Sequence, residues 1–168
     1  VEIAALEKRT EGWITGLQLA ALSMQGRDRA GIARFVADFT GRHHFILDYL
    51  TDEVLQRQLP SVQTFLQETA ILNRMCGSLC DALLVDCDLP PAAQMLEQIQ
   101  AANLFTASLD DERQWYRYHP LFAELLRARL QETSPDRIPE LHRRAALWYD
   151  ERALSPEAVH HALHTQDD

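Results

Sequence analysis

The sequence predicts a mainly α-helical fold closed by a single β-hairpin. Three observations carry that reading. Apolar residues recur at helical spacing through most of the chain, both before residue 104 and after residue 119. Between those limits, residues 104–109 and 114–119 carry aromatic and β-branched side chains in rough alternation, and the polar run Asp110, Asp111, Glu112 and Arg113 separates them, as in a hairpin. Pro120 then stands where a helix can start, because its fixed φ suits the first turn and its missing N–H is not needed there. Short helices closed by a two-stranded ribbon follow the plan of a winged helix, with the ribbon as the wing.

Composition bounds what such a fold can do. With 168 residues, 46% of them hydrophobic, the chain can bury a core in one domain or two small ones. Its net charge of −9 repels phosphate backbones unless a local basic patch overrides it. The apolar runs fall far short of the roughly 20 residues that cross a bilayer, so no membrane span is expected. The opening, VEIAALEKRTEGW, already has helical periodicity and no secretory leader, and the chain reads as a piece of a larger protein. Three cysteines, Cys76, Cys80 and Cys87, cannot all pair, so a reducing cytoplasm is the expected setting.

Taken in order, residues 1–25 read as a first helix pair, with Trp13, Leu17, Ala20 and Met24 on one face and Gly26 as its stop. A short helix is expected over 30–38. Another, over 42–58, places Phe45, Ile46, Tyr49, Leu50 and Val54 on its buried side until Pro60 interrupts it. Val62, Phe65, Leu66 and Thr69 define the next helix, to about Leu72. Ser78 is expected to cap a helix through Leu79, Leu83 and Leu84. After a loop over 86–91, residues 92–103 carry Met95, Leu96 and Ile99 on one face and take the place of a recognition helix. Beyond the hairpin, Leu121, Leu125 and Ala128 mark a helix to about Glu132. Asp136 is expected to cap a further helix, with Pro139 in its first turn. Ser155, Pro156 and Glu157 open the last one. These final two helices read as a hairpin, the first pair of a TPR-like repeat array.

Little in the sequence points to catalysis. The segment PPAAQMLEQIQAAN, at the recognition position, contains no Lys or Arg and includes Glu97, whereas phosphate positioning and guanine readout depend on basic side chains. Cys76 and Cys80 form a C-x3-C pair with no matching second pair, which reads as core packing. His160, His161 and His164 place two imidazoles one helical turn apart without an evident third ligand, so no metal is expected. His43 and His44, near a helix start, read as solvated surface or a helix-packing pair and are assigned no role. No phosphate loop and no G-x-S-x-G or H-E-x-x-H motif is present. Two readings of His119 and Trp13 stay open: a polar residue ending a strand beside a core indole, or a histidine at a strand-to-helix junction that donates to a phosphate from a neighbouring domain.

Several segments together resemble a known family. TEGWITGLQLAALSMQGR resembles the E-G-W-x-x-G-L-x-L-A-A helix of MalT-like, ATP-dependent regulators of the LuxR family, in the STAND class of signalling ATPases. FTGRHHFILDYLTDEVLQRQLPSVQTFLQETAIL is similar to that family's winged-helix opening, and YRYHPLFAELLRARL to its hairpin-to-helix junction. LHRRAALWYDERALSPEAVHHAL is similar to the start of its helical-repeat sensor. The resemblance implies three parts: residues 1–40 as a helical subdomain following a nucleotide-binding core, 41–133 as the winged helix, and 134–168 as the start of the sensor. It also implies ATP or ADP in the full-length protein, with His119 matching the histidine that contacts the β-phosphate of ADP. Gly12, Trp13 and Ile14 then match a Gly-x-Pro motif that packs on adenine. Ile14 stands where that family usually carries proline, and Pro120 where the broader class carries aspartate. The implied partners are the ATPase core and repeat sensor of the same chain, a small-molecule or protein inducer, and DNA only through a separate C-terminal helix-turn-helix. A protein-interaction linker without nucleotide contact is the alternative, and a directly DNA-binding winged helix a third.

Overall fold

The computed structural model describes residues 10–14, 17, 20, 24, 28–38 and 48–165. The expected stop at Gly26, the helix positions Phe45 and Ile46, and His43 and His44 lie outside the described residues. The chain divides into two compact units, Val1–Arg57 with His119–Leu125, and Gln58–Tyr118 with Leu126–Asp168.

In the first unit, the described residues from Ile14 to Met24 are helical, and the Leu17 N–H donates to the Trp13 carbonyl at 3.0 Å. Ala20 is fully buried on that face, as its spacing predicts. Helix α1 spans Arg29–Asp38, and the Asp28 carboxylate accepts from the Gly31 N–H at 2.9 Å, satisfying one of the orphan donors of the first turn. The segment Leu50–Leu55 departs from the regular α-helix expected there. It is a π-helical turn in which the Gln56 N–H reaches back to the Thr51 carbonyl at 2.8 Å, one residue further than an α-helix allows.

The second unit holds the winged-helix elements: α2 (Pro60–Glu68), a 3-10 turn Thr69–Ile71, α3 (Gly77–Leu83), α4 (Ala92–Ala101), β1 (Thr106–Ser108) and β2 (Tyr116–Tyr118). The fold is therefore mainly helical with, among the described residues, one antiparallel ribbon, paired Thr106 to Tyr118 and Ser108 to Tyr116. Each strand is shorter than the expected six residues. Phe105 sits at φ 51, in the left-handed region, so the extended backbone begins only at Thr106. A feature absent from the sequence reading extends the ribbon: Met75 and Tyr116 exchange backbone hydrogen bonds at 2.8 Å in both directions, so the linker between α2 and α3 serves as a third, one-residue strand.

Two expected caps fall elsewhere. Cys76, in extended conformation, precedes α3, and Ser78 lies inside the first turn without a capping bond. Gly77 is the first residue of the helix, and a side chain is disfavoured there because α4 runs close by: a Cβ would stand 3.1 Å from that of Ala93. In turn, the Asp81 carboxylate on α3 accepts from the Ala92 N–H at 2.9 Å, so α4 is capped from a neighbouring helix.

Helix α5 (Pro120–Thr133) begins at its proline as predicted, with residues up to Leu125 grouped in the first unit and Leu126 onward in the second. Helices α6 (Arg137–Asp150) and α7 (Ser155–Leu163) form the final hairpin. Asp136 has helical backbone angles and makes no capping bond. Ser155 is already the first helical residue, with Leu154 at the cap position. Phe65, Leu66, Met75, Leu79, Met95 and Tyr149 are among the most completely buried side chains, each contributing about 1.5–3 kcal/mol by leaving water. A charge network ties α6 to the rest of this unit. The Arg137 guanidinium forks onto both Glu68 oxygens at 3.1 and 2.7 Å and reaches Asp86 at 2.7 Å, while Arg144 bonds Asp86 and the Leu83 carbonyl. The two arginines hold the Asp86 carboxyl well below the usual carboxylate range.

Candidate functional site

His119 occupies the single residue between β2 and α5, within the first unit. Its imidazole has a defined tautomer. Nδ1 accepts from the Leu121 N–H at 3.3 Å, capping the second residue of α5, so the proton sits on Nε2, which donates to the Thr10 carbonyl at 2.7 Å. The His119 carbonyl starts the helix by accepting from Ala123 at 2.9 Å.

The same Thr10 carbonyl accepts from the Trp13 N–H at 2.8 Å. One buried oxygen therefore gathers two donors that lie 106 positions apart in sequence. The turn that makes this possible runs through Glu11 and Gly12, at φ 47 and 80. Glycine takes such angles freely, and at Glu11 they carry strain. Trp13 then presents its ring edge to His119, centroids 6.1 Å apart at 64°, and lies 5.9 Å from Tyr49.

The structure thus brings the four sequence-predicted residues into one neighbourhood of the first unit. His119 and Trp13 are half-buried, and Gly12 and Ile14 are exposed, Ile14 at 69%. Sequence reasoning missed two members. Thr10 acts through its carbonyl, which any residue carries, so no side-chain pattern reveals it. Tyr49 read as one apolar residue of a helix face.

The other candidates resolve differently. Cys80 is buried in α3, and burial pushes its thiol well above the ordinary value. Cys87 lies beside Glu68 and is raised to about 11, by burial first and by that carboxylate second. Among the described residues no group of three or more His, Cys, Asp or Glu is arranged to hold a metal. His161 turns inward instead and meets His142 of α6, Nδ1 to Nδ1 at 2.8 Å, a partner that the sequence spacing did not disclose. At the recognition position, Leu96 and Glu97 of α4 share a groove with Trp115 of the wing and with Trp148 and Arg152 from α6 and its C-terminal end. The end of α6 therefore flanks α4 and the wing.

A family model described as the MalT winged helix domain matches residues 51–138, which hold α2 to α4, the ribbon, α5 and the start of α6. The chain belongs to the MalT winged helix domain family. Serine/threonine-protein kinase PknK of Mycobacterium tuberculosis, from two strains, and of Mycobacterium bovis is similar at 34% identity over 166 residues. That alignment covers 99% of this chain, which spans 14% of the length of those relatives. The matched span sets the MalT-type winged helix on residues from both units, since His119–Leu125 lie inside it. No described helix is long and apolar enough to cross a membrane.

Proposed function

We propose that this MalT-type winged helix is a cytoplasmic regulatory element of a longer ATP-dependent, LuxR-family regulator, which couples nucleotide state to inducer sensing without binding DNA or catalysing a reaction itself. ADP held by an ATPase core elsewhere in that protein meets His119 through its β-phosphate and the Gly12–Trp13–Ile14 turn through its base. One observation carries the reading: the Thr10 carbonyl holds His119 and Trp13 together, although only the family resemblance links them in sequence. In the resting state Nε2 exchanges the Thr10 carbonyl for a phosphate oxygen, and loss of ADP returns it. A ligand that prefers one arrangement shifts the population toward it. The α6–α7 hairpin opens the sensor array that receives the inducer.

A second reading has an observation in its favour. Both imidazole nitrogens already have partners, as a plain helix cap in an interaction linker would. Replacing His119 by Ala in the full-length protein separates the two. Nucleotide coupling gives weaker ADP retention or inducer-independent activity, whereas the linker reading gives unchanged ADP affinity and basal activity, with only thermal stability reduced. The capping bond is lost under both readings, so stability alone decides nothing.

A further inference from the structure

A groove of about 460 Å³ in the second unit opens between α4, the wing and the end of α6, a volume within the range of small-molecule sites. Its walls are aromatic, with Trp115 and Trp148 meeting edge to face at 6.3 Å. Its fringe is rich in donors. Arg113 comes from the wing turn, Arg152 from just beyond α6, and the one carboxylate among the lining residues is Glu97. Two of the three acids of the wing turn are engaged within it, Asp110 accepting from the Gln114 and Trp115 N–H groups at 2.8 and 3.2 Å and Glu112 from the Gln114 amide at 3.1 Å, while Asp111 is exposed and is not among the lining residues. Glu151 stands 3.5 Å from Arg152 but is 73% exposed, where such a pair is weak.

Trp148, which lines the groove, carries a buried indole Nε1 that has no hydrogen-bond partner among the described residues. Native proteins rarely leave such groups unpaired. Guanidinium groups already stack on both indoles, Arg74 over Trp115 at 4.6 Å and Arg152 over Trp148 at 4.0 Å. A cationic guest would meet like charge there. A neutral apolar guest would desolvate the donors and give them nothing. An oxyanion attached to a flat ring answers both features.

We propose that this groove binds a small planar organic anion, an aromatic carboxylate by class, with its ring against Trp115 and its oxygens taken by Arg113 and Arg152. The site is independent of the nucleotide contacts at His119. The test uses this chain with benzoate and 1-naphthoate as probes and benzamide as the uncharged control, read by saturation-transfer NMR. The 1-naphthoate ion should bind with a dissociation constant near or below about 1 mM, and benzamide about tenfold more weakly than benzoate. Arg113→Gln and Arg152→Gln should each weaken 1-naphthoate roughly three- to tenfold, and Glu97→Gln should tighten it, because it removes the opposing charge. Thermal melting accompanies every variant, and if Arg152→Gln melts early, Arg113→Gln decides. Absence of binding at about 10 mM probe, equal affinity for benzoate and benzamide, or Arg113→Gln and Glu97→Gln both without effect would overturn the proposal.

Discussion

Acidification should loosen the α6–α7 hairpin, because two buried imidazoles face each other across it. His142 and His161 are 7% and 3% exposed, and their Nδ1 atoms stand 2.8 Å apart, a distance that holds one shared proton. The surroundings oppose a second one. His164 stacks on His142 at 4.8 Å, and His160 lies 5.2 Å from His161 and 4.9 Å from His164. Arg127 of α5 adds positive charge against His142, and Tyr149 stacks on His161. Burial, then the neighbouring imidazoles, hold both below the ordinary value of 6.5.

The sign follows from linkage. Folded, the pair stays neutral, while the unfolded chain takes up protons below about pH 6.5, so stability present above that value is lost as pH falls toward the lowered native values. Each imidazole contributes a slope of about 1.4 kcal/mol per pH unit, so at about pH 5 each costs about 2 kcal/mol and the pair about 4. For a domain of this size that is a fall of roughly 10 °C in melting temperature. Thermal melts of this chain between about pH 7.5 and 5 read the effect. His161→Phe keeps a ring against Tyr149 but removes one titrating group, so about half the pH slope should disappear. A melting temperature flat across that window, or the same slope in His161→Phe as in the natural sequence, would refute the reasoning.

Three further outcomes follow from the same geometry. Arg137→Met should lower stability by about 2 kcal/mol in urea unfolding, because the half-buried Glu68 loses its bidentate partner. Gly12→Ala should cost about 1 kcal/mol locally from its φ of 80, since a Cβ there meets nothing within 4 Å among the described residues, and faster amide exchange at Trp13 should report it. Duplex DNA should bind this chain no more tightly than about 100 μM at low salt, with no steep salt dependence; a steep loss of affinity with salt would restore a nucleic-acid role.

Much of this architecture was legible in the sequence, and the residues show why the rest was not. Periodicity placed α1 to α4, α6 and α7, Pro120 marked the start of α5, and the polar turn at Asp110–Arg113 located the wing. These signals are local, since each depends on neighbours within a few positions. What escaped depends on distant partners. Met75 joins the ribbon only because Tyr116 comes alongside, Asp81 caps α4 from across a helix pair, and position 77 needs a glycine because a Cβ there would stand 3.1 Å from that of Ala93. The candidate site divides the same way. His119 stood out at its junction, but the carbonyl of Thr10 carries no side-chain signal. The His142–His161 pair joins residues 19 positions apart that only the α6–α7 turn brings face to face.

The proposed coupling requires the His119 imidazole to change partners with nucleotide state, and nitrogen NMR of its ring observes this most directly. Full-length protein carrying ¹⁵N-labelled histidine would be compared with and without ADP, with His119→Ala to assign the resonance. Without ADP, the ring should be the neutral tautomer with its proton on Nε2, held by the Thr10 carbonyl. With ADP, the Nε2–H signal should move and show a coupling or contact to the β-phosphate phosphorus. A ring whose Nε2–H resonance is identical in both states, in protein shown to be ADP-loaded, would contradict the central claim.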